Sequence, residues 1–478
     1  MTMLAPWLAL AAVGVAGGPP ADDGRQAYCA RPWTESAIRD ATETDCEVWA
    51  DERRVPLYVA DVDQSVPAWG GNYCFGSFTV ADRPVRVRVK VPRGCSSAVQ
   101  ILPARYGIRP ETNAFGEVTF AVPRPMRLTL EWDGRRRPLA VFANPPECDV
   151  PKPGDAGVVW FGPGYHFPGR IRLGSNETLY LASGAVVMGG IEVRGTNVTV
   201  RGRGILDGAP FPRFQGPTRW MLDFTGCRGV RVEGITIRNP FNWVLVFLDC
   251  EDVSVSNVKV CGSRMINDDA LDICNSRRVV VRDSFFRCAD DVFALKGNLP
   301  FGKMPTALEN VRIEDCVAWT DAANVFRVGF ECNASRLRRI VARRIDVLHV
   351  AANQRDIVHD WANCVFYLQP ANDVEISDVL FDDVRIRHEG PFALFSAYSH
   401  AWGCLGRPYE TAGRLRKVCL RNVVVTGDGP AYALLRGDSD ARDVAWIAFE
   451  NVTVGNRRLS RHSPDVTLGP FVRNVVFK

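Results

Sequence analysis

Short runs of alternating apolar and polar residues recur along this chain from about residue 55 to its end. The earliest runs include VRVRVKV, EVTFAV, RLTLEW and PLAVF, and Asp133-Gly134 lies between the last two. Alternation with a period of two predicts strands, and Asp-Gly between two such runs is typical of an antiparallel hairpin. We therefore predict a β-sandwich domain over residues 55–150, connected to the rest of the chain by the Pro- and Gly-rich stretch 143–157.

A single strand template repeats through the rest of the chain, from residue 197 onwards. Each copy has a polar residue, three to five alternating β-formers, a polar turn and a second short strand, and a third strand lies between copies. Successive copies start 32, 23, 26 and 32 residues apart, measured between Val198, Val230, Val253, Val279 and Val311. Strand-only repeats of this length predict a solenoid. The fold class we expect is all-β, with the N-terminal β-sandwich followed by a right-handed parallel β-helix over residues 151–478.

The first 21 residues form an apolar run followed by small residues and Pro, which is typical of a secretory signal peptide. A short hydrophobic arm or a membrane anchor remains open as an alternative, because no Lys or Arg precedes the run. Residues 22–54 are polar without a clear period, and the sequence assigns them no role. We expect a secreted protein, periplasmic or extracellular, with no membrane contact once the signal is removed.

Composition excludes several function classes. The net charge is +4 with acidic and basic residues interspersed, so no basic patch for nucleic acid is expected. The 15 Cys include no CxxC pair and the six His do not fall at ligand spacing near them, so we expect neither a metal site nor a cofactor. Several Cys recur at strand ends of the repeats, where a buried ladder of small side chains and disulfide bonds both remain open. We take the protein to be a monomer.

Two carboxylate pairs carry the candidate chemistry. Asp268-Asp269 and Asp290-Asp291 lie about one repeat apart, and each pair leads into a short apolar strand, ALDIC or VFALK. Equivalent positions in stacked coils are about 4.8 Å apart, so both pairs should face one groove. Carboxylates crowded on one surface repel each other, which raises the pKa of at least one and leaves an acid beside an ionised base. This is the equipment for hydrolysis of a glycosidic bond.

The alternative for any single Asp is structural, because Asp at a coil turn commonly caps a strand or forms an Asx turn. That interpretation is sufficient for several aspartates of the template, namely Asp252, Asp283, Asp315 and Asp378. Two pairs placed one coil apart favour a functional role for the pairs.

The same residues resemble two families of glycoside hydrolases. Residues 267–273, NDDALDI, resemble the NTDG(I/F)D(I/V) motif of polygalacturonases, and residues 289–296, ADDVFALK, resemble their GDDCIAIK motif at a similar spacing. The β-sandwich and the stretch that ends in VRGRGILDG are similar to the entry into the β-helix of the dextranase and isopullulanase family. The resemblance implies an inverting hydrolase on a parallel β-helix.

The resemblance also implies residue roles. Asp290 would be the general acid, and Asp269 and Asp291 would hold and deprotonate the attacking water. Asp272 would orient its neighbours, and Lys296 would support the strand or touch substrate.

Three departures from the polygalacturonases bear on the substrate. Asp268 stands where they have Thr, and we expect it to be a bystander. Their GHG motif is matched by Ala323-Asn324-Val325, which puts Asn324 in place of the His. Their cationic RIK motif has no counterpart in VFYL at 365–368, which leaves Arg327 either to supply one cation or to pair with a groove Asp. Without cations to match a uronate carboxylate, we expect a neutral glycan.

Trp243, Trp361, Tyr398 and Trp402 are candidates for stacking on sugar rings, with core or loop packing as the alternative for each. The candidate substrate-binding residues are thus Asp272, Lys296, Asn324, Arg327, Trp243 and Trp361. We predict an inverting glycoside hydrolase that acts on an extracellular polysaccharide or oligosaccharide. A polysaccharide lyase on the same solenoid, using calcium or a basic residue, is one alternative. A non-catalytic glycan-binding solenoid, in which the Asp pairs are turn caps, is the other.

Overall fold

The computed structural model describes residues 46–92, 95, 99–297, 306–350, 364–388, 390–399, 403–404, 407–408, 411–427 and 429–478. These residues are almost entirely β-structure, with short 3₁₀ turns at Pro67–Trp69 and Ala104–Tyr106. The predicted signal peptide lies outside them. Within these ranges, no helix has the length and apolarity required to cross a membrane.

The N-terminal domain is the predicted β-sandwich. Its strands are β1 (Glu47–Ala50), β2 (Arg53–Val55), β3 (Leu57–Ala60), β4 (Tyr73–Thr79), β5 (Val85–Lys90), β6 (Gln100–Leu102), β7 (Glu111–Thr112), β8 (Glu117–Val122), β9 (Met126–Glu131) and β10 (Leu139–Asn144). One sheet has the order β2-β1-β5-β8-β7 and is antiparallel; the other has the order β3-β4-β10-β9-β6, with β4 and β10 parallel. The first hairpin, at residues 47–55, therefore lies almost entirely in the stretch 22–54, to which the sequence assigned no role.

The sandwich core forms between these two sheets because each contributes one apolar face. Val48, Val87 and Val118 of the first sheet pack against Leu128 and Val141 of the second, and all five are buried. The alternation in VRVRVKV therefore forms a strand, as predicted, and its Val side chains point into the core.

The opposite face of the second sheet packs on the β-helix. Phe75 and Phe142 belong to a buried cluster that also contains Phe285 and Trp319 of the repeats. The rings of Phe142 and Phe285 have centroids 5.2 Å apart. The sandwich and the β-helix thus share a continuous apolar interface.

Within the described residues, 29 strands from β11 to β41 form one sheet that winds into a β-helix. They are β11 (Val158–Phe161), β12 (Gly164–Leu173), β13 (Thr178–Leu181), β14 (Ala185–Val193), β15 (Thr196–Gly202), β16 (Ile205–Asp207), β17 (Leu222–Thr225), β18 (Arg228–Glu233), β19 (Thr236–Arg238), β20 (Leu245–Leu248), β21 (Glu251–Ser256), β22 (Lys259–Cys261), β23 (Leu271–Cys274), β24 (Arg277–Arg282), β25 (Phe285–Cys288), β26 (Phe293–Gly297), β27 (Leu308–Glu314), β28 (Val317–Thr320), β29 (Phe326–Cys332), β30 (Leu337–His349), β31 (Cys364–Gln369), β32 (Glu375–Arg387), β33 (Phe392–Tyr398), β36 (Arg414–Thr426), β37 (Ala431–Arg436), β38 (Val444–Val454), β39 (Arg457–Arg458), β40 (Val466–Leu468) and β41 (Val472–Phe477). A separate two-stranded pair, β34 (Gly403–Cys404) and β35 (Arg407–Pro408), lies between β33 and β36.

From β15 to β29 each coil contributes one strand to each of three parallel sheets, and each strand pairs with its equivalent in the next coil. From β30 onwards one long strand takes the place of two, since β30 pairs with both β27 and β28. We call the sheet formed by β17, β20, β23, β26, β29, β31 and β33 the groove sheet. The coil interior is filled by Val, Ile, Leu and Phe side chains, and several cysteines join them as free thiols, namely Cys227, Cys250, Cys288, Cys316 and Cys332. Among these buried ladder positions the small-side-chain interpretation is confirmed.

The corners between sheets require left-handed backbone, which Asn, Asp and Gly adopt most readily. Asp252, Asp283, Asp315 and Asp378 have φ values of 59°, 51°, 55° and 55°. The structural interpretation of these four aspartates is confirmed, which separates them from the two Asp pairs.

Candidate active site

One row of side chains runs across the groove sheet at equivalent positions of five successive coils. Each member lies two residues before the first residue of its strand, and these first residues pair with one another from β17 to β29. The row reads Trp220, Trp243, Asp269, Asp291 and Asn324. Stacking of the repeats therefore places Asp269 beside Asp291, as the spacing of the two motifs predicts.

Asp291 is held by the next member of the row. One of its carboxylate oxygens accepts hydrogen bonds from the backbone N–H of Asn324 at 3.1 Å and from the Asn324 side-chain amide at 2.7 Å. The Asn324 side-chain oxygen in turn accepts a hydrogen bond from the backbone N–H of Cys364 at 2.8 Å. Asn324 thus orients Asp291, at the position that the sequence marked as a departure from a His.

Asp290 precedes the row by one residue and is half-buried, so it stays accessible from the groove. Burial, followed by the negative charges of Asp269 and Asp291, raises the pKa of Asp290 well above its usual range. This environment favours the protonated carboxyl group, which is the form that can donate a proton to a leaving group.

Asp269 is almost fully buried and is paired with Lys296. One Asp269 oxygen accepts a hydrogen bond from the Lys296 ammonium at 2.7 Å, while the other has no hydrogen-bond partner among the described residues. Burial raises the pKa of Asp269 to about 6, with Asp291 acting in the same direction and Lys296 opposing it. Above that pH Asp269 is an ionised carboxylate with a free acceptor oxygen, which is the state a general base needs.

Lys296 lies at the centre of three carboxylates. Its ammonium is 2.7 Å from Asp269, 3.1 Å from Asp272 and 3.3 Å from Glu331. Burial alone would lower the pKa of Lys296, but these carboxylates raise it well above its usual value. The side chain is 4% exposed, so its charge is balanced by the surrounding carboxylates and little by solvent.

Glu331 is the site residue that the sequence did not single out. A register shift between β26 and β29 inserts two extra residues, so that Leu295 pairs with Val328 but Gly297 pairs with Cys332. This bulge places Glu331 level with Lys296. The glycine in the sequence GFEC could have indicated this bulge, because a glycine inside a strand often marks one. Gly329 has a φ of +93°, and any Cβ there would lie 2.2 Å from the Gln369 carbonyl oxygen.

Trp243 is enclosed on both faces. Its ring stacks on Trp220 of the preceding coil with an interplanar angle of 8°, and the Lys296 ammonium of a later coil lies 4.0 Å from its centroid. Because these neighbours come from opposite directions along the solenoid, neither ring face is open for a sugar. The indole edge remains half-exposed to the groove.

Arg327, the possible cation for an acidic sugar, is engaged within the protein. It donates a hydrogen bond to Gln369 at 2.9 Å, and its guanidinium lies 4.2 Å from the Phe330 ring and 4.3 Å from the Tyr367 ring. The side chain is 7% exposed. It does not pair with a groove Asp in the described structure.

Asp268 holds the backbone next to the proposed acid. It is completely buried, and its two oxygens accept hydrogen bonds from the backbone N–H groups of Ser263 at 2.6 Å, Ala289 at 2.7 Å and Asp290 at 3.3 Å. A Thr hydroxyl could not accept from both directions in this way. These bonds give Asp268 a structural role at this turn, and its part in the chemistry stays a prediction. Burial raises the pKa of Asp268 to about 8, against the three amides.

Trp361 and Trp402 lie outside the described residues. Tyr398 is buried among groove-sheet side chains. Across the described ranges, no group of three His, Cys, Asp or Glu side chains is arranged to hold a metal ion. In the carboxylate cluster, the Lys296 ammonium occupies the central position.

Known proteins give a consistent picture of the fold. No protein-family model matches the sequence, and no curated protein sequence matches it. Among solved structures, the dextranase Dex49A from Penicillium minioluteum is similar with a TM-score of 0.64 at 15% identity, covering 90% of this chain and 93% of its own. A family 28 exopolygalacturonase from Yersinia enterocolitica has a TM-score of 0.52 at 12% identity, with the same coverage of both chains.

The fold of this chain is a parallel β-helix, as in these two solved structures. Both structures cover the sandwich as well as the β-helix, so the predicted resemblance is confirmed for the fold of the whole described chain. At these identities the likeness establishes the fold, and the chemistry has to be argued from the residues of this chain.

Proposed function

We propose that this protein is an inverting glycoside hydrolase that acts on a neutral polysaccharide or oligosaccharide. The observation that carries the proposal is the juxtaposition of Asp290, whose pKa is raised, with Asp269 and Asp291 in adjacent coils. One protonated and two hydrogen-bonding carboxyl groups on one face supply the acid and the base that inversion requires.

The reaction needs two proton transfers. The protonated Asp290 carboxyl donates its proton to the glycosidic oxygen as the bond to the anomeric carbon breaks. A water molecule bound by Asp269 and Asp291 attacks the opposite face of the sugar and gives its proton to one of these carboxylates. Asn324 orients Asp291, and Lys296 keeps Asp269 ionised above pH about 6. Asp272 and Glu331 complete the charge environment of Lys296.

The charge balance of the site favours a neutral sugar. Three carboxylates pair with the ammonium of Lys296, namely Asp269, Asp272 and Glu331. Asp290 and Asp291 interact with the same ammonium electrostatically. The nearby guanidinium of Arg327 is already bonded to Gln369 and covered by two rings. A uronate carboxylate at the scissile bond would enter a field of like charge without a matched cation.

A reducing-sugar screen on dextran, pullulan, arabinan and pectic substrates tests the proposal, with Asp290→Asn as the key variant. We expect release from at least one neutral glycan and a loss of at least about 10²-fold in Asp290→Asn, since one general acid contributes about 10²–10⁴-fold. Asp252→Asn is the matched control, because this corner aspartate has a left-handed φ of 59° that Asn tolerates. An ultraviolet-absorbing unsaturated product that depends on calcium would instead identify a lyase.

The stereochemical part of the proposal needs a separate measurement. NMR of the first-formed product should give the anomer opposite to that of the substrate linkage. A retained configuration would remove the proposed roles of Asp269 and Asp291 as water-activating groups.

A further inference from the structure

We infer that the N-terminal sandwich positions the acid-bearing residue Asp290, through a buried polar chain that runs from Trp69 by way of Arg287, Asp321, Ser263 and Asp268. The inference assigns Asp268, Ser263 and Arg287 as positioning residues. The expected effect on kcat rests on the proposed function, whereas the expected effect on hydrogen–deuterium exchange does not.

The chain starts in the sandwich. The Arg287 guanidinium donates a hydrogen bond to the backbone carbonyl of Trp69 at 2.9 Å. It lies between two rings, 4.2 Å from that of Tyr73 in the sandwich and 3.9 Å from that of Trp319 in the β-helix. Arg287 is completely buried, so these contacts fix its position at the interface.

Asp321 connects Arg287 to Ser263, which belongs to the coil before the one that carries Asp290. Arg287 Nε donates to one Asp321 oxygen at 3.2 Å, and the Ser263 hydroxyl donates to the same oxygen at 2.7 Å. Trp319 Nε1 donates to the other oxygen at 2.8 Å. Arg287, Asp321 and Ser263 are all completely buried, so none of these bonds competes with water.

Ser263 is held by the sandwich a second time. Its carbonyl accepts a hydrogen bond from the backbone N–H of Asp63, a sandwich residue, at 2.9 Å. Its φ is +84°, a left-handed conformation that costs a non-glycine residue free energy. In that conformation its own N–H donates to Asp268 at 2.6 Å.

Asp268 completes the path by holding the turn that carries the acid. Its second oxygen accepts hydrogen bonds from the backbone N–H groups of Ala289 and Asp290. The backbone of Asp290 is therefore bonded to a carboxyl group whose other oxygen is fixed by Ser263. A displacement of about 1 Å at a reacting group can cost about 10²-fold in rate, so this attachment matters for catalysis.

The β-helix supplies a matched control two coils earlier. Arg238 and Arg287 occupy equivalent positions in β19 and β25, through the register of β22 between them. Arg238 also donates to a sandwich carbonyl, that of Val59 at 2.8 Å, and it also pairs with a buried carboxylate, Asp207. In the part of the chain that the structure describes, neither Arg238 nor Asp207 forms a hydrogen bond with Ser263 or Asp268.

The experiment compares Arg287→Met with Arg238→Met in the full chain. We expect similar losses of melting temperature, because each variant removes one buried arginine from the same interface. Hydrogen–deuterium exchange at the amides of residues 288–291 should accelerate at least tenfold in Arg287→Met and stay within twofold of wild type in Arg238→Met. In the hydrolase assay, kcat should fall at least tenfold in Arg287→Met alone, with KM changed less than threefold.

Ser263→Ala is the milder variant in case Arg287→Met does not fold. It removes the hydroxyl that bonds Asp321, and we expect faster exchange at 288–291 and a several-fold lower kcat. Equal exchange at 288–291 in the wild type and in Ser263→Ala would overturn the inference, as would equal effects of Arg287→Met and Arg238→Met. If the wild type hydrolyses none of the glycans, the proposed function fails, while the exchange result still decides the inference.

Discussion

The ammonium of Lys296 lies 2.7 Å from a carboxylate oxygen of Asp269, although the two residues belong to different motifs in adjacent coils. Lys296 is also the cation of Asp272 and Glu331, and all four side chains are buried. A cation shared by three buried carboxylates links the stability of the coil stack to the ionisation of the proposed base.

Lys296→Met should destabilise the protein strongly. The substitution keeps most of the side-chain volume but leaves buried carboxylates without their cation, which costs about 3–5 kcal/mol in comparable cases. Denaturant unfolding measures the change. Lys90→Met is the control, because Lys90 pairs with Glu47 on the exposed surface of the sandwich, where such a pair contributes less than about 1 kcal/mol. Equal losses in both variants would contradict the central role of Lys296.

The pH profile of kcat should be bell-shaped with its acidic limb near pH 6. Asp269 must be ionised to accept the proton of water, and its pKa is about 6, so activity should rise as the pH passes that value. Asp290 must be protonated, and its pKa lies well above its usual range, so activity should fall only at higher pH. An acidic limb near pH 4 would mean that Asp269 is not the titrating base. The pH dependence of kcat with one neutral glycan checks both limbs.

Asp290→Asn should make the protein more stable at neutral pH while it removes activity. Because the folded state raises the pKa of Asp290 above 3.8, folding binds a proton that the unfolded chain has released, and stability falls as the pH rises from about 4 toward the folded pKa. The Asn variant lacks this penalty. We therefore expect a higher free energy of unfolding for Asp290→Asn than for the wild type at pH 7. The free energies of unfolding of the wild type and of Asp290→Asn should differ at pH 7 and agree at pH 4.

The sequence predicted the parts of this site that depend on period and spacing. The repeat length predicted that Asp269 and Asp291 lie in one row. The alternation of apolar and polar residues predicted that the strands after them turn apolar side chains into the coil. It did not predict Glu331, because a two-residue bulge changes the register that alternation implies. It also missed the role of Asp268, whose partners Ser263 and Ala289 come from different coils and are brought together only by stacking.

Gly329→Ala should disrupt that bulge. Gly329 has a φ of +93°, and a Cβ would meet the Gln369 carbonyl oxygen at 2.2 Å, so the backbone must shift and Glu331 with it. We expect a destabilisation of about 2–3 kcal/mol from strain and displacement together. Gly226→Ala is the control, because Gly226 has a φ of +65° with open space around its Cβ position, so only the conformational cost of about 1 kcal/mol remains. Similar unfolding free energies for the two variants would show that the bulge tolerates a side chain.

Trp243→Leu should affect catalysis through Lys296. The indole lies between Trp220 and the Lys296 ammonium, and its removal deletes a buried cation–π contact that is worth about 2 kcal/mol when desolvated. Lys296 then gains freedom to move away from Asp269, which raises the pKa of that carboxyl further. The acidic limb of the kcat profile should therefore move above pH 6, with KM nearly unchanged. A sugar-stacking role predicts the opposite pattern, a higher KM with an unmoved acidic limb. Trp220→Leu serves as the comparison, because it removes the stacked neighbour and leaves the contact between Trp243 and Lys296 in place.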